Sequence, residues 1–196
     1  MLNKEETIIL IGRSDFLDSE LCKNFYYCTE IYNCATINWS CTKYYSKYCF
    51  FLDSYVWKMC HDKVLGRPKL ITSTMTTGLV QGWDYEIYDQ HRMYTSMQPY
   101  TKGTLLGAGF THDYAISYLI KEGYKNIILA GCADFVTKEY AKGMNVRTDI
   151  KWNYSDKCKI NSEYLINNVL SKYTHIYTLN PDSELKVDRI SVDELL

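Results

Sequence analysis

Proline and glycine are scarce in this sequence, at 3 and 10 of 196 residues. That scarcity excludes a collagen-like or low-complexity chain. Hydrophobic residues make up 46% of the sequence, which excludes wholesale disorder. One domain usually takes about 100–200 residues, and no linker rich in proline, glycine or serine divides the chain. We therefore expect residues 1–196 to form a single domain.

Long apolar runs are also missing. Runs such as Thr7–Gly12 and Cys49–Leu52 are short, whereas a membrane-spanning helix needs about 18 or more apolar residues. The first residues, MLNKEE, lack the basic start and the long apolar middle of a signal peptide. The sequence therefore predicts no membrane span and a cytoplasmic location.

The chain has no excess of charge of one sign. Lysine plus arginine number 22 and aspartate plus glutamate number 23, for a net charge of −1. A protein that holds a nucleic-acid backbone through released counterions needs a basic surface. The balance therefore argues against general nucleic-acid binding and leaves small molecules as the expected partners. A homo-oligomer stays open.

Eight cysteines are present, but no two have the C-x-x-C spacing of a zinc or redox motif. A disulfide framework belongs to short exported chains, and no export signal is found. We expect reduced, buried thiols and no metal site.

The hydrophobic pattern predicts an α/β fold. Thr7–Gly12 is a continuous, largely β-branched run ending in glycine, which is typical of a strand buried on both faces. Weaker strand-like runs follow at 31–38, 48–53, 69–73, 126–131 and 174–179, with helix-compatible stretches between several of them. This alternation predicts a mostly parallel sheet with helices on both faces.

One helix–strand unit is especially clear. Thr111 is a candidate N-cap, apolar residues recur at helical spacing through Ile120, and Gly123 is placed to stop the helix. The strand at 126–131 follows at once. A second helix is expected around Glu163–Ser171.

Two segments break the alternation. Residues 74–110 and 132–156 are polar and predict long loops. Loops longer than about 12–15 residues in a compact domain usually serve a function, and ligands of parallel α/β sheets bind beyond the carboxyl ends of strands. The second loop begins at such an end.

Polar residues after the first two predicted strands are candidate ligand contacts. Gly12, Arg13 and Ser14 follow the first strand, where Arg13 and Ser14 can donate to an anion. Asn38 and Ser40 end the second strand, and the amide of Asn38 can read a base or ribose edge. A plain turn with an exposed arginine, and a capping asparagine, are the alternatives.

Further candidates lie around the clearest helix. Thr111 opens it, and the neighbouring His112 has the pKa range of an acid–base catalyst. Asp134 follows the strand at 126–131, where a carboxylate can bind a ribose hydroxyl, act in catalysis or hold the loop. Tyr140 can reach a bound phosphate or simply cover the loop.

Common catalytic and nucleotide motifs are absent. The sequence contains no G-x-G-x-x-G, no Walker G-x-x-x-x-G-K-[ST], no G-x-S-x-G and no H-E-x-x-H. The sequence motifs therefore give no support to an ordinary NAD site, a P-loop, an α/β-hydrolase or a zinc protease.

The blocks 109–115 (GFTHDYA) and 122–135 (EGYKNIILAGCADF) resemble the bacterial lipooligosaccharide sialyltransferases and related DUF115-type proteins. In that family a Thr-Ser opens a helix that ends in Gly-Tyr-Lys-x-Ile, and the next strand closes in Gly-x-Asp-Phe. The strand through Gly12, the strand ending at Asn38 and the tail 176–183 agree in order and spacing.

The resemblance implies a Rossmann-like glycosyltransferase domain that uses a CMP-activated sugar and needs no metal cofactor. It places Asn38 at the nucleotide, Thr111 at the helix opening and Tyr140 at the donor phosphate. The chain also departs from the family. Its helix-opening serine is His112 here, and Asn153 stands in the register of its general-base histidine. Asparagine cannot accept the acceptor's proton.

Three functions therefore stay open. The first is a glycosyltransferase that moves a sugar from a CMP-type donor to an acceptor. The second is a protein that binds a nucleotide, or a nucleotide-derived signal, without turnover. The third is another nucleotide-processing enzyme, such as a hydrolase or N-glycosidase, with His112 or Asp134 as its catalytic group.

Overall fold

An eight-stranded sheet forms the centre of the molecule, in which every strand pairs in parallel with its neighbours. The computed structural model describes residues 2–76, 78–92, 104–133 and 156–196. The strands are β1 (Thr7–Ile11), β2 (Asn33–Ile37), β3 (Tyr48–Phe51), β4 (Lys69–Thr72), β5 (Tyr85–Ile87), β6 (Asp89–Arg92), β7 (Thr104–Gly107), β8 (Asn126–Ala130), β9 (His175–Thr178) and β10 (Asp188–Arg189). The order in the sheet is β10-β9-β8-β1-β2-β3-β4-β5, and β6 and β7 pair separately.

Helices cover both faces of this sheet. They are α1 (Phe25–Ile31), α2 (Ser54–Cys60), α3 (Thr111–Lys121), α4 (Asp156–Asn168) and α5 (Val192–Leu195). Successive side chains of a strand point to opposite faces. Accordingly, Ile8 and Leu10 of β1 pack in one core with α3 and α4. Ile9 and Ile11 pack in a second core with α1, α2 and α5.

The predicted α/β fold class, with a parallel sheet and helices on both faces, is confirmed. Each predicted strand coincides with an observed one. The predicted helix at Thr111 is also confirmed, but its N-cap is Phe110 and Thr111 is its first helical residue.

The prediction of a structureless loop at 74–110 was wrong for the described part of that segment, because it contains β5, β6 and β7. Backbone hydrogen bonds place β5 on the edge of the sheet, from Leu70 N to Asp84 O and from Tyr88 N to Thr72 O, both at 2.9 Å. These strands are short, and β6 is wholly polar, so no hydrophobic alternation marks them. Of the segment 132–156, the structure describes only Cys132, Ala133 and the start of α4 at Asp156.

Seven of the eight cysteines are buried, and six of them belong to the core that contains α1, α2 and α5. Burial raises the pKa of the Cys34 thiol to about 12 and that of Cys28 to about 11. Such thiols stay protonated and behave as small apolar side chains.

In the part of the chain that the structure describes, no helix is both long enough and apolar enough to cross a bilayer.

Candidate functional site

The strand order changes direction between β1 and β8. From β1 the chain adds β2 to β5 on one side, whereas β8 is followed by β9 and β10 on the other. In open parallel sheets this arrangement leaves a crevice outside the carboxyl ends of the two strands. We call the region bounded by Gly12–Ser14, Asn38 and Gly131–Ala133 the crevice.

The backbones that follow β1 and β8 are in direct contact at the base of the crevice. Gly12 N donates to Ala130 O at 2.8 Å, and Ser14 N donates to Gly131 O at 2.9 Å. A Cβ atom on Gly12 would lie 2.2 Å from Gly131 O and 2.5 Å from the Cβ of Cys132. Gly131 itself has a φ of +65°. Both glycines are therefore required for this approach.

Ser14 is occupied by local structure. Its hydroxyl accepts from Phe16 N at 3.3 Å and so caps the 3₁₀ helix Asp15–Asp18. Its backbone N–H goes to Gly131. Arg13 is half-buried beside it at the rim of the crevice. In this predicted anion-binding turn, the positively charged guanidinium of Arg13 is the group best suited to bind a phosphate.

Asn38 adopts a left-handed backbone conformation directly after β2, with a φ of +53°. Its Oδ1 is buried and has no hydrogen-bond partner among the described residues. A buried amide oxygen without a partner costs about 1–3 kcal/mol. Within the described ranges, the other non-glycine residue with positive φ is Ala133, after β8. Strained backbone of this kind concentrates at binding and catalytic sites.

Ser40 holds the end of β2 against the end of β1. Its hydroxyl donates to Ile11 O at 2.7 Å and accepts from Ile37 N at 2.9 Å. The side chain is fully buried. These bonds give Ser40 a role in supporting the turn at Asn38, and its predicted ligand contact stays a prediction.

The N-terminus of α3 lies at the same edge of the sheet as the crevice. Tyr48, the first residue of β3, donates through its hydroxyl to Glu122 at the end of α3, at 3.1 Å. The C-terminal end of α3 is therefore at the amino edge of the strands, and its first residue, Thr111, is at the carboxyl edge. Thr111 is half-buried there.

His112 is buried between α3 and α4. Its Nε2 lies 3.1 Å from Ser162 Oγ, and its ring stacks on that of Phe110 with centroids 5.0 Å apart. Only 8% of the residue is exposed. Burial lowers the pKa of His112 below its ordinary value of 6.5, and the nearby Asp113 carboxylate opposes part of that change. The imidazole is therefore neutral at pH 7.

Although a serine, a histidine and an aspartate meet here, they do not form a nucleophilic triad. In such a triad the serine and the carboxylate contact different nitrogens of the imidazole. In this protein Ser162 Oγ and Asp113 Oδ1 both lie near His112 Nε2, at 3.1 and 3.4 Å. Ser162 is also fully buried, so its hydroxyl does not reach a substrate.

We predict an acid-sensitive contribution of His112 to stability. Because the pKa of His112 is lower in the folded protein than in the unfolded chain, the unfolded chain binds the proton more readily. The stabilising effect is complete above pH 6.5 and is lost as the pH falls through the lowered pKa, at up to about 1.4 kcal/mol per pH unit. Urea unfolding between pH 7.5 and 5 should show a steeper loss for the wild type than for His112→Gln.

The matched control for that measurement is His61→Gln, because His61 is exposed and its ring forms a hydrogen bond with the nearby Lys58 O. Equal pH slopes for the wild type and His112→Gln would contradict the prediction.

Three sequence candidates lie outside the described residues: Asp134, Tyr140 and Asn153. Conversely, the sequence did not single out Ser162, which the structure places against His112. In the sequence, Ser162 lies in a polar stretch just before the expected helix at 163–171. The observed helix α4 begins seven residues earlier than expected, at Asp156, and therefore includes Ser162.

Comparisons with known proteins identify the fold. No protein-family profile matches the sequence, and no curated protein matches it either. The MAf glycosyltransferase from Magnetospirillum magneticum AMB-1 superposes on 97% of the chain with a TM-score of 0.69 and 11% identity. The chain spans only 34% of that protein's length.

A second solved structure is the monofunctional α-2,3-sialyltransferase Cst-I from Campylobacter jejuni. It superposes on 100% of this chain and over 84% of its own length, with a TM-score of 0.55 and 15% identity. At these identities the likeness concerns the fold alone. The chain therefore has a Rossmann-type fold shared with glycosyltransferases, one of them a sialyltransferase.

Proposed function

We propose that this protein binds a nucleotide-activated sugar of the CMP type in the crevice and transfers the sugar to an acceptor. The observation that carries the proposal is the environment of the Asn38 side chain. Its amide has both a donor and an acceptor, its oxygen lacks a partner among the described residues, and its backbone is held left-handed at the carboxyl end of β2. A base or ribose edge would satisfy that amide.

The phosphate of the donor would lie between Arg13 and the first turn of α3. A guanidinium binds phosphate through two parallel N–H donors, and the N-terminus of a helix adds its own positive end. Thr111 offers a hydroxyl at that terminus. Tyr140 and Asp134 remain predicted contacts to the donor, from the sequence alone.

In the proposed transfer, an acceptor hydroxyl forms a bond to the anomeric carbon of the sugar. The bond from that carbon to the phosphate oxygen breaks, CMP leaves with the electron pair, and a base takes the acceptor's proton. We assign the role of that base to His112, whose imidazole is neutral. No metal is required for this step, since the leaving phosphate is neutralised by Arg13.

A second candidate function is nucleotide binding without transfer. The burial of His112 favours it, because a general base must come within about 3 Å of the acceptor hydroxyl. Asn153 in the register of the family's base histidine favours it as well.

Calorimetry with CMP and with CMP-sialic acid, followed by mass spectrometry of the recovered ligand, tests both candidates. Transfer predicts binding, release of CMP from CMP-sialic acid in the presence of an added sugar acceptor, unchanged rates in EDTA, and loss of turnover in His112→Gln but not in His61→Gln. Ligand that binds and returns intact after long incubation supports the second candidate. Absence of binding to both ligands would overturn the two together.

A further inference from the structure

A buried hydroxyl on α4 joins that helix to the entrance of α3. Ser162 Oγ donates to Asp113 Oδ1 at 2.5 Å and lies 3.1 Å from His112 Nε2. A serine hydroxyl has one hydrogen, and here the carboxylate accepts it. The second bond must therefore run from the imidazole N–H to the serine oxygen, which fixes the tautomer of His112.

The same carboxylate holds the turn that leads into α3. Asp113 Oδ2 accepts from Ala108 N at 2.9 Å and from Phe110 N at 3.3 Å. Asp113 is fully buried, so both oxygens depend on these protein donors. Between the two amides lies Gly109, with a φ of +121°. A change in the position of Ser162 therefore alters a carboxylate that determines the shape of the turn at 108–110.

This turn lies at the same edge of the sheet as the crevice, because it directly precedes the N-terminus of α3. Thr111 directly follows the turn at the carboxyl edge of the sheet. The conformation of the turn consequently influences the position of Thr111 and of the first amides of α3 at this edge.

We infer that Ser162 is a positioning residue for the crevice: it contacts no ligand, and through Asp113 and His112 it holds the turn at 108–110 in the conformation that binds the nucleotide. The inference rests on the proposed function for its ligand. The geometry of the turn, however, is measurable without ligand.

The test compares Ser162→Ala with Ser117→Ala. Ser117 is an equally buried serine on α3 whose hydroxyl accepts from Leu106 N at 3.2 Å, away from the crevice. Both variants lose a buried hydroxyl. Only Ser162→Ala should weaken CMP binding, by about tenfold, since an interaction to a charged group is lost. Ser162→Thr, which keeps the hydroxyl, should restore binding.

Hydrogen exchange on the ligand-free protein provides the second readout. The amides of Ala108 and Phe110 should exchange at least about tenfold faster in Ser162→Ala than in Ser117→Ala. Asp113→Asn should have the same effect, because one amide oxygen cannot accept from both Ser162 and the turn. This variant tests the inference if Ser162→Thr fails to fold.

Equal exchange rates at Ala108 and Phe110 in the two serine variants would overturn the inference. Equal CMP affinities in those variants would overturn it as well. If the wild type itself binds neither CMP nor CMP-sialic acid, the proposed function fails, and the exchange rates alone decide whether Ser162 positions the turn.

Discussion

Replacing Gly12 by alanine should lower the free energy of unfolding by several kcal/mol, on the order of 4. The new Cβ would lie 2.2 Å from Gly131 O and 2.8 Å from the carbonyl carbon of the same residue. These are backbone atoms, so no side-chain rotation relieves the contact. The loops after β1 and β8 would have to separate, which breaks the hydrogen bonds from Gly12 N to Ala130 O and from Ser14 N to Gly131 O.

Urea denaturation of Gly12→Ala and Gly78→Ala measures this effect. Gly78 has a φ of +89°, and among the described residues no atom beyond its chain neighbours lies within 4 Å of an added Cβ. Alanine there meets only the cost of the left-handed conformation, about 1–2 kcal/mol. A loss for Gly12→Ala no larger than that for Gly78→Ala would mean that the two loops are not in contact. If Gly12→Ala does not fold, the expected effect is exceeded and the prediction holds.

Removing the side chain of Asn38 should weaken CMP binding by tenfold or more while leaving the fold intact. The informative variant is Asn38→Gly, because glycine adopts the φ of +53° without strain. It deletes both hydrogen-bonding groups of the amide, and two such bonds to a ligand amount to about 1–3 kcal/mol. It also removes the buried Oδ1 that lacks a partner among the described residues. The free energy of unfolding of Asn38→Gly should therefore equal or exceed that of the wild type.

Two variants separate ligand contact from backbone effects. Asn38→Ala removes the same amide but imposes left-handed strain, so it should lose both affinity and about 1–2 kcal/mol of stability. Asn33 is the first residue of the same strand and lies at its amino end, away from the crevice. The affinity of Asn33→Gly for CMP should therefore equal that of the wild type. Calorimetric binding of CMP to Asn38→Gly at wild-type strength would exclude Asn38 as a ligand contact.

A stabilising result for Asn38→Gly would have a physical meaning of its own. Natural proteins retain unfavourable groups where function needs them, and their removal commonly raises stability. Higher stability together with weaker CMP binding is therefore the outcome expected of a binding residue. Higher stability with unchanged binding would leave the unpartnered amide without a role in the crevice.

Much of the fold is predictable from local pattern. All five residues of the β1 run TIILI are buried, because helices cover both faces of the strand. A continuous run of this kind can be recognised from the sequence without knowledge of the neighbouring strands. The helix at Thr111 and its stop near Gly123 follow from periodicity and from the left-handed preference of glycine, here at a φ of +90°. The α/β class follows from the alternation of these elements.

The candidate site is only partly predictable. Asn38 is predictable because it is a polar residue at the end of a predicted strand. Gly12 is predictable because it ends the first predicted strand, where parallel α/β folds place a phosphate-binding turn. Ser40 and Ser14 carry the same local signal, yet their hydroxyls serve the backbone. Residue type and position do not distinguish these two uses, because the same hydroxyl can bind a ligand, a backbone group of its own turn or a backbone group of a neighbouring strand.

The sequence by itself determined the strands with continuous apolar runs, the principal helix and the residues available for a crevice. Only the tertiary structure decided the strand order, the edge position of β5, the contact of Gly12 with Gly131, and the meeting of His112 with Ser162 fifty residues away. Local sequence patterns indicate which residues of a segment face the core and which face solvent. Contacts between distant segments depend on how those segments pack, and that information is not contained in any one of them.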